Sequence, residues 1–289
     1  MNRYKKKSYR LAIKKRIFIV GCPRSGTTLL QGMLAAHPDV YSLPETYFFS
    51  RALVSKNPFK NYMLWPAIKV RKHFENIVRE AGGESLCNVY NIGIFQSDYY
   101  RPFVDFMDDI TIENKKNIWV EKTPMHLYCV NEIQKRIPDA CIIHMVRNGL
   151  DVVDSLVRAT QDNPQQWARF GGWRRKFWKG FSVDDAIKKW NHDFNITKSR
   201  LAISKDILVK YEDLISDPFS SLLNLCQELD ITYSDRMIHS DQSFGSIVRE
   251  DELWKINNKN RVLTKKINSL YKDHSKKIYI ESKLDSYDV

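Results

Sequence analysis

The chain has 289 residues, of which 43% are hydrophobic and 12% aromatic, enough to fill the core of one large domain and to exclude a wholly disordered protein. Its formal net charge of +12 points to anionic partners. No apolar run approaches the roughly 18–20 residues of a membrane-spanning helix, and a cleaved signal peptide is not expected because it would remove the motif at residues 21–28.

Strand and helix patterns alternate along the chain. An apolar run predicts a first strand over residues 17–20, and a helical pattern begins at residue 29. Further strands are predicted at 40–43, 117–121, 140–146 and 207–211. Further helices are predicted at 125–136, 150–158, 183–201 and 219–229. Residues 46–118 are aromatic and interrupted by prolines and a glycine pair, which indicates helices and loops covering one end of the sheet.

The segment GCPRSGTT, residues 21–28, joins the first strand to its helix with the glycine spacing of a phosphate-binding loop. Backbone N–H groups and a helix N terminus attract an anion at such a loop. Thr27 stands where nucleoside triphosphatases have a lysine, and Arg24 is the nearby cation. The loop therefore predicts a ligand with a 5′ chain shorter than a triphosphate. The candidate anion-binding residues are Arg24, Ser25, Gly26, Thr27 and Thr28.

Alternating strands and helices around this loop predict an α/β fold. We expect a single domain with a central parallel β-sheet flanked by helices, similar to P-loop nucleoside triphosphatases. The domain is predicted to cover residues 17–289, after a basic N-terminal tail at 1–16. Within it, residues 46–118 are expected to cover the acceptor.

A second candidate anion site follows the strand predicted at 140–146. In a triphosphatase this strand end carries an acidic residue that holds Mg²⁺, but here it carries Arg147, which repels a metal and attracts a phosphate. Ser155 lies eight residues later, about two helical turns on, where its hydroxyl can share the same oxyanion. The alternative is an ordinary surface arginine and an ordinary helix serine.

These motifs resemble those of sulfotransferases that use 3′-phosphoadenosine 5′-phosphosulfate (PAPS). Ser25 to Thr28 with a preceding cation is similar to the family's 5′-phosphosulfate loop, and Arg147 with Ser155 is similar to its 3′-phosphate motif. The segment beginning at Tyr211, YEDL with a proline at 218, is similar to another family segment. The resemblance covers roughly residues 16–230, with the motifs in the family's order. A weaker likeness to a cofactor-closing segment lies at residues 243–255.

The resemblance implies PAPS as sulfuryl donor, 3′,5′-adenosine bisphosphate (PAP) as product and no metal. Arg24 and the loop would bind the 5′-phosphosulfate, and Arg24 would also act in catalysis by stabilising the leaving phosphate. Arg147, Ser155 and Tyr211 would also bind the donor. Glu45 is similar to the catalytic base of tyrosylprotein sulfotransferases, and Lys122 is similar to a lysine that contacts the bridging oxygen in that group.

Alternatives to these catalytic assignments stay open. His37 and His126 are rival bases, and Glu45 and Lys122 could each be an ordinary surface residue. Glu121 is expected to pair with Lys122 or to start the next helix.

The acceptor is a hydroxyl group whose carrier no motif reveals. A carbohydrate or glycolipid head group is the first hypothesis, because a basic mouth lined by aromatic residues suits one, and a peptide tyrosine is the alternative. Two other classes remain: a P-loop kinase, whose lysine and Mg²⁺-binding acid are both missing here, and a non-catalytic anion- or RNA-binding protein, which would leave Glu45 and Lys122 unexplained.

Basic residues cluster at 1–16, 169–179 and 255–277. They are either solvated segments or contacts to an anionic ligand or an anionic membrane surface. A nucleic-acid partner is not expected, since no nucleic-acid-binding motif accompanies them. The five cysteines are scattered without C-x-x-C pairs, which predicts a reducing, cytoplasmic compartment and neither disulfides nor a zinc site. Peripheral attachment to the membrane is compatible with that location.

Overall fold

A computed structural model describes residues 12–53, 64–82, 100–162, 180–239 and 274–287, together with Tyr90, Pro164 and Ile247. The basic segment at 169–179, the resemblance at 243–255, and most of the basic residues at 1–16 and 255–277 lie outside the described residues. No helix among those described is long and apolar enough to span a bilayer.

Five parallel strands form one sheet in the order β2-β3-β1-β4-β5. The strands are β1 (Lys15–Gly21), β2 (Val40–Ser42), β3 (Ile118–Lys122), β4 (Ala140–Val146) and β5 (Ile207–Lys210). The predicted α/β fold with a central parallel sheet is therefore confirmed. The strand predicted at 117–121 lies one residue later, so that Lys122 and not Glu121 is its last residue.

Helices connect the strands and cover both faces of the sheet. They are α1 (Thr27–Ala35), α2 (Phe48–Leu53), α3 (Leu64–Gly82), α4 (Tyr100–Glu113), α5 (Val130–Arg136), α6 (Gly149–Asp162), α7 (Val183–Leu201), α8 (Tyr211–Ser216), α9 (Pro218–Glu228) and α10 (His274–Glu281). The single helix predicted at 125–136 is wrong: a 3₁₀ helix, Pro124–Cys129, precedes α5. The short helix α8 was not predicted.

Apolar side chains on β1 alternate between two hydrophobic layers. Phe18 and Val20 belong to a layer that includes Trp119 and the aromatic side chains of α2 to α4. Ile17 and Ile19 belong to the opposite layer with the side chains of α1 and α9. A parallel sheet covered on both faces needs such a continuous apolar strand, and this explains why the sequence alone located β1 and β4.

The N-terminal boundary of the folded domain lies earlier than predicted. β1 begins at Lys15, and the Arg16 guanidinium binds both carboxylate oxygens of Asp108 at 3.0 and 2.6 Å and also contacts Asp139. Arg16 is therefore an ordered structural residue, and the last residues of the predicted tail at 1–16 belong to the fold, since Ile13 is also buried in the core.

The topology fixes where a ligand can bind. β1 lies between β3 and β4, so the chain leaves β1 to one side for β2 and β3 and crosses over for β4 and β5. In open parallel sheets, ligands bind at the carboxyl ends of the strands where this reversal occurs. The phosphate-loop motif and the segments bearing Glu45, Lys122, Arg147 and Tyr211 all follow or end these strands.

Candidate active site

The loop after β1 has the backbone of an anion cradle. Arg24 adopts a left-handed conformation with φ 76°, and Gly26 follows with φ 96° as the N-cap residue of α1. No side chain caps that helix start. The Ser25 hydroxyl is buried and has no hydrogen-bond partner among the described residues. Uncapped amides and a buried, unsatisfied hydroxyl suit a bound oxyanion, because each donor needs an acceptor.

Gly26 is required by space as well as by backbone conformation. A Cβ atom there would lie 2.4 Å from the Tyr211 ring. The Arg147 guanidinium also contacts Tyr211: its carbon atom lies 4.2 Å from the centroid of the same ring. Tyr211 is thus a buried spacer between the loop and Arg147. It fixes the separation between the two predicted anion sites.

Lys122 brings to the loop a lysine, which the loop's own sequence lacks. Its ammonium donates to Glu45 Oε1 at 2.5 Å and to Thr28 Oγ1 at 3.1 Å, and the Lys122 and Glu45 side chains are only 1% and 7% exposed. The structure therefore brings the predicted base, the predicted lysine and the predicted loop together. A buried, mutually hydrogen-bonded pair of this kind is costly to disrupt from one side only.

Glu121 faces away from Lys122, because neighbouring residues of a strand point to opposite faces. Its carboxylate accepts hydrogen bonds from the Thr46 and Thr123 hydroxyls, both at 2.7 Å, and lies 2.8 Å from His126 Nδ1. Burial alone would raise the pKa of Glu121, but the interaction with His126 and the hydrogen bonds from the two threonines lower it below its ordinary value. The expected Glu121–Lys122 pair is wrong; Glu121 instead holds the residue that follows Glu45.

Both rival histidine bases already use their two ring nitrogens. His37 Nε2 lies 2.7 Å from the Thr232 carbonyl oxygen, and its Nδ1 accepts from the Asp39 N–H at 3.1 Å. His126 Nε2 accepts from the Phe49 N–H at 3.2 Å, which assigns the Nδ1 proton to the bond with Glu121. These are positions for structural histidines.

Arg147 lies at the end of β4 and pairs with Asp151 one turn into α6, at 2.8 Å. Its backbone carbonyl accepts from Trp190 Nε1 at 3.1 Å. The guanidinium side chain is 12% exposed and its carboxylate partner 22%. Asp151 was not singled out from the sequence, although its spacing of four residues from Arg147 is that of a helical ion pair.

Ser155 lies beside Arg24, the cation of the loop after β1. Its hydroxyl oxygen accepts a hydrogen bond from Arg24 Nε at 3.0 Å. The structure thus links the loop to α6 through Arg24 and Ser155, whereas the sequence predicted that Ser155 acts with Arg147.

Sulfur and metal chemistry find little support in the described site. Burial, followed by the charge of Asp193, raises the pKa of the Cys22 thiol well above its ordinary value, so the loop cysteine stays protonated. The described cysteines Cys22, Cys129, Cys141 and Cys226 are free thiols. In the part of the chain that the structure describes, no group of three or more His, Cys, Asp or Glu side chains is arranged to hold a metal ion.

Comparison with known proteins agrees with these features. The model of a family described as "Sulfotransferase family" matches residues 16–235. Protein-tyrosine sulfotransferase 1 of Danio rerio is 27% identical over 79% of this chain and 57% of its own length. Protein-tyrosine sulfotransferase A of Caenorhabditis elegans is 27% identical over 79% of this chain and 53% of its own length. The chain thus spans about half the length of these curated relatives.

Solved structures share the fold. The sulfotransferase domain of the Synechococcus PCC 7002 olefin synthase aligns with a TM-score of 0.55 and 20% identity, covering 96% of both chains. The sulfotransferase domain of the curacin biosynthetic pathway aligns with a TM-score of 0.53 and 18% identity, covering 93% of this chain and 97% of the other. At this identity the likeness concerns the fold alone.

Proposed function

Because this chain belongs to the sulfotransferase family, we propose that it transfers the sulfuryl group of PAPS to an acceptor hydroxyl and releases PAP. The observation that carries the proposal is the contact of Lys122 with both Glu45 and Thr28. It joins a carboxylate, a cation and the phosphate-type loop within hydrogen-bond distance. A non-catalytic anion-binding protein has no need of such a carboxylate beside its anion site.

The donor would be held at two places. The loop amides, Arg24, the Ser25 hydroxyl and Thr27 and Thr28 suit the 5′-phosphosulfate, since they combine an uncapped helix start with a buried, unsatisfied hydroxyl. Arg147 suits the separate 3′-phosphate.

The spacing between these sites supports the same donor. Tyr211 lies between the loop and Arg147, and Ser155 bonds to Arg24. A nucleotide with one anionic group at each end of its ribose matches two anion sites kept apart by such a spacer.

The proposed reaction is an in-line displacement at sulfur. The acceptor oxygen attacks the sulfur atom, the bond from sulfur to the bridging oxygen breaks, and that oxygen leaves with PAP. Glu45 accepts the proton of the acceptor hydroxyl, and Lys122 and Arg24 stabilise the negative charge that develops on the leaving phosphate.

The Lys122–Glu45 pair couples these two events. When Glu45 takes the proton, its negative charge disappears at the moment when negative charge builds on the leaving oxygen. The Lys122 ammonium can then transfer its interaction from the carboxylate to the leaving group without becoming an unpaired buried charge.

We propose a tyrosine phenol as the acceptor, in place of the carbohydrate hydroxyl that the sequence suggested first. The names of the curated relatives support a peptide tyrosine. The chemistry supports it too: a phenol with a pKa of about 10 needs far less help to lose its proton to a carboxylate than an alkyl hydroxyl does.

Two measurements test the proposal. Isothermal titration without metal should show binding of PAP and not of ATP; a preference for ATP with Mg²⁺ would instead support the kinase alternative.

Transfer from PAPS is then compared for a tyrosine-containing peptide, the same peptide with phenylalanine, and an alkyl glycoside. Product only with the tyrosine peptide is expected. Product only with the glycoside would overturn the acceptor assignment and keep the sulfotransferase.

A further inference from the structure

The C-terminal segment at residues 274–287 packs onto the elements that carry Arg147, although it lies beyond the residues matched by the family model. The Asn191 side chain on α7 donates to the Lys283 carbonyl oxygen at 2.9 Å and accepts from the Asp285 N–H at 3.1 Å. The Asn195 side chain donates to the Asp285 carboxylate at 2.7 Å. These bonds fix the path of the chain after α10.

Leu284 places the segment directly against the start of α6. A Cβ atom added at Gly149, the first residue of that helix, would lie 2.8 Å from Leu284 Cδ2 and 3.0 Å from the Trp190 ring. Any larger residue at 149 would force the Leu284 side chain or the indole to shift. The C-terminal segment and the turn after β4 are therefore packed together without spare room.

Tyr287 reaches the same turn through a chain of hydrogen bonds. Its hydroxyl donates to Glu212 Oε2 at 2.9 Å, and Glu212 Oε1 accepts from the backbone N–H of Asn148 at 2.9 Å. The Tyr287 ring lies beside Trp190 and Phe194, with centroid distances of 6.3 and 5.8 Å. Both oxygens of the Glu212 carboxylate are thus engaged, one by Tyr287 and one by the residue next to Arg147.

The phenol is suited to this role in its protonated form. Burial, then the charge and hydrogen bond of Glu212, raise the pKa of Tyr287 well above its ordinary value. Tyr287 therefore remains a donor across the physiological range. Without that donor, the Glu212 side chain would gain rotamer freedom beside a site proposed to bind an anion, and its own negative charge would compete with the phosphate.

We propose that Tyr287 is a positioning residue for the 3′-phosphate site, acting through Glu212 on the Arg147–Asn148 turn. The inference rests on the proposed function, since it takes Arg147 as the ligand of the 3′-phosphate. It assigns a role in donor recognition to the last described residue of the chain.

The test compares two nucleotides with the full-length chain. Tyr287→Phe keeps the ring contacts and removes only the hydroxyl, so folding is expected to be retained. The dissociation constant for PAP should rise about threefold to tenfold, the scale of one hydrogen bond. Binding of adenosine 5′-phosphosulfate, which lacks the 3′-phosphate, should not change.

Tyr279→Phe is the matched control. It lies in the same segment and its hydroxyl bonds at 2.7 Å to Asp184 in the first turn of α7. Its loss should leave both nucleotide affinities unchanged. If Tyr287→Phe weakens both nucleotides equally, Tyr287 only stabilises the fold and the positioning role is overturned.

A double-mutant cycle with Arg147→Ala completes the design. If Tyr287 acts through the Arg147 turn, Tyr287→Phe should have little further effect on PAP binding once Arg147 is gone, whereas additive losses would overturn the inference. The proposed function fails in a different way: the unmodified chain would then bind PAP no more tightly than adenosine 5′-phosphosulfate. If the unmodified chain binds PAP more tightly than adenosine 5′-phosphosulfate and Tyr287→Phe changes neither affinity, only the role of Tyr287 is rejected.

Discussion

Two corners of the candidate site are built in different ways. The Lys122 corner consists of Lys122, Glu45 and Thr28, and its ion pair is almost fully buried, with side-chain exposures of 1% and 7%. The Arg147 corner consists of Arg147 with Asp151, whose side chains are 12% and 22% exposed. A buried pair holds its geometry because breaking it is costly, whereas a more solvated pair can exchange its carboxylate for a phosphate at little cost.

This difference matches a division of labour. The Lys122 corner is preorganised, as a group that moves a proton and stabilises developing charge must be. The Arg147 corner is suited to binding, because its arginine can leave Asp151 when a better anion arrives. Changes at the first corner should therefore affect mainly the rate of transfer, and changes at the second mainly the affinity for the donor.

The largest effect is expected for Glu45→Gln. The amide keeps the side-chain shape but cannot accept the proton, so the turnover number should fall by roughly 10²–10⁴, the range of a positioned general base. The affinity for PAP, measured by titration, should stay nearly the same. Glu132→Gln is the control, since it removes a carboxylate from a helical surface pair with Arg136. Near-normal turnover of Glu45→Gln would reject Glu45 as the base.

Lys122→Met should also slow transfer, with a smaller loss for a donor whose leaving group is better stabilised by itself. It should in addition destabilise the fold, because Glu45 is left as a buried charge without its ammonium, a change worth about 3–5 kcal/mol.

The double variant Lys122→Met with Glu45→Gln separates these two effects. Thermal unfolding should show that it recovers much of the lost stability, while turnover should remain low. Recovery of turnover together with stability would mean that neither Lys122 nor Glu45 takes part in the chemistry.

Much of this architecture could be predicted from the sequence, because buried parallel strands are continuous apolar runs and the phosphate loop is local. The partner of Lys122 could not. The sequence placed the end of β3 at Glu121, whereas it lies at Lys122. Glu121 and Lys122 point to opposite faces of the strand, and the alternation alone does not say which face meets Glu45, 77 residues away in sequence.

Contacts between distant parts of the chain were the second limit. Tyr287 and Glu212 are 75 residues apart in sequence, and no local pattern connects them. Ser155 was expected beside Arg147 because the two share a helix start and its strand, yet its hydroxyl bonds to Arg24. The orientation of a helix around its own axis determines such a contact, and helical spacing alone leaves it undecided.

At the Arg147 corner, Arg147→Ala should weaken PAP binding on the order of 10- to 150-fold, equivalent to roughly 1.5–3 kcal/mol for a charge-assisted contact. Binding of adenosine 5′-phosphosulfate should be preserved, and turnover at saturating PAPS should change little. Equal weakening of the two nucleotides would show that Arg147 does not bind the 3′-phosphate.

Ser155→Ala sharpens the same comparison with a smaller effect. Because Ser155 holds Arg24 at 3.0 Å, its loss should loosen the loop cation and weaken both nucleotides by a similar few-fold factor, the scale of one hydrogen bond. A loss confined to PAP would restore the assignment of Ser155 to the 3′-phosphate.

The smallest effect, no change at all, is expected on chelation of divalent metals. In a triphosphatase an acid at the end of the strand that becomes β4 here would hold Mg²⁺, and the metal would neutralise the transferred group. This chain has Arg147 there, and it brings the Lys122 ammonium to Thr28 from β3. We therefore expect fixed protein cations to supply the positive charge that a metal would otherwise bring. Transfer measured with EDTA should equal transfer with Mg²⁺, and activity that EDTA abolishes and Mg²⁺ restores would favour the kinase alternative. A cation fixed in the protein cannot be chelated. Transfer that EDTA does not change would therefore indicate that the two corners together supply all the positive charge that the reaction needs.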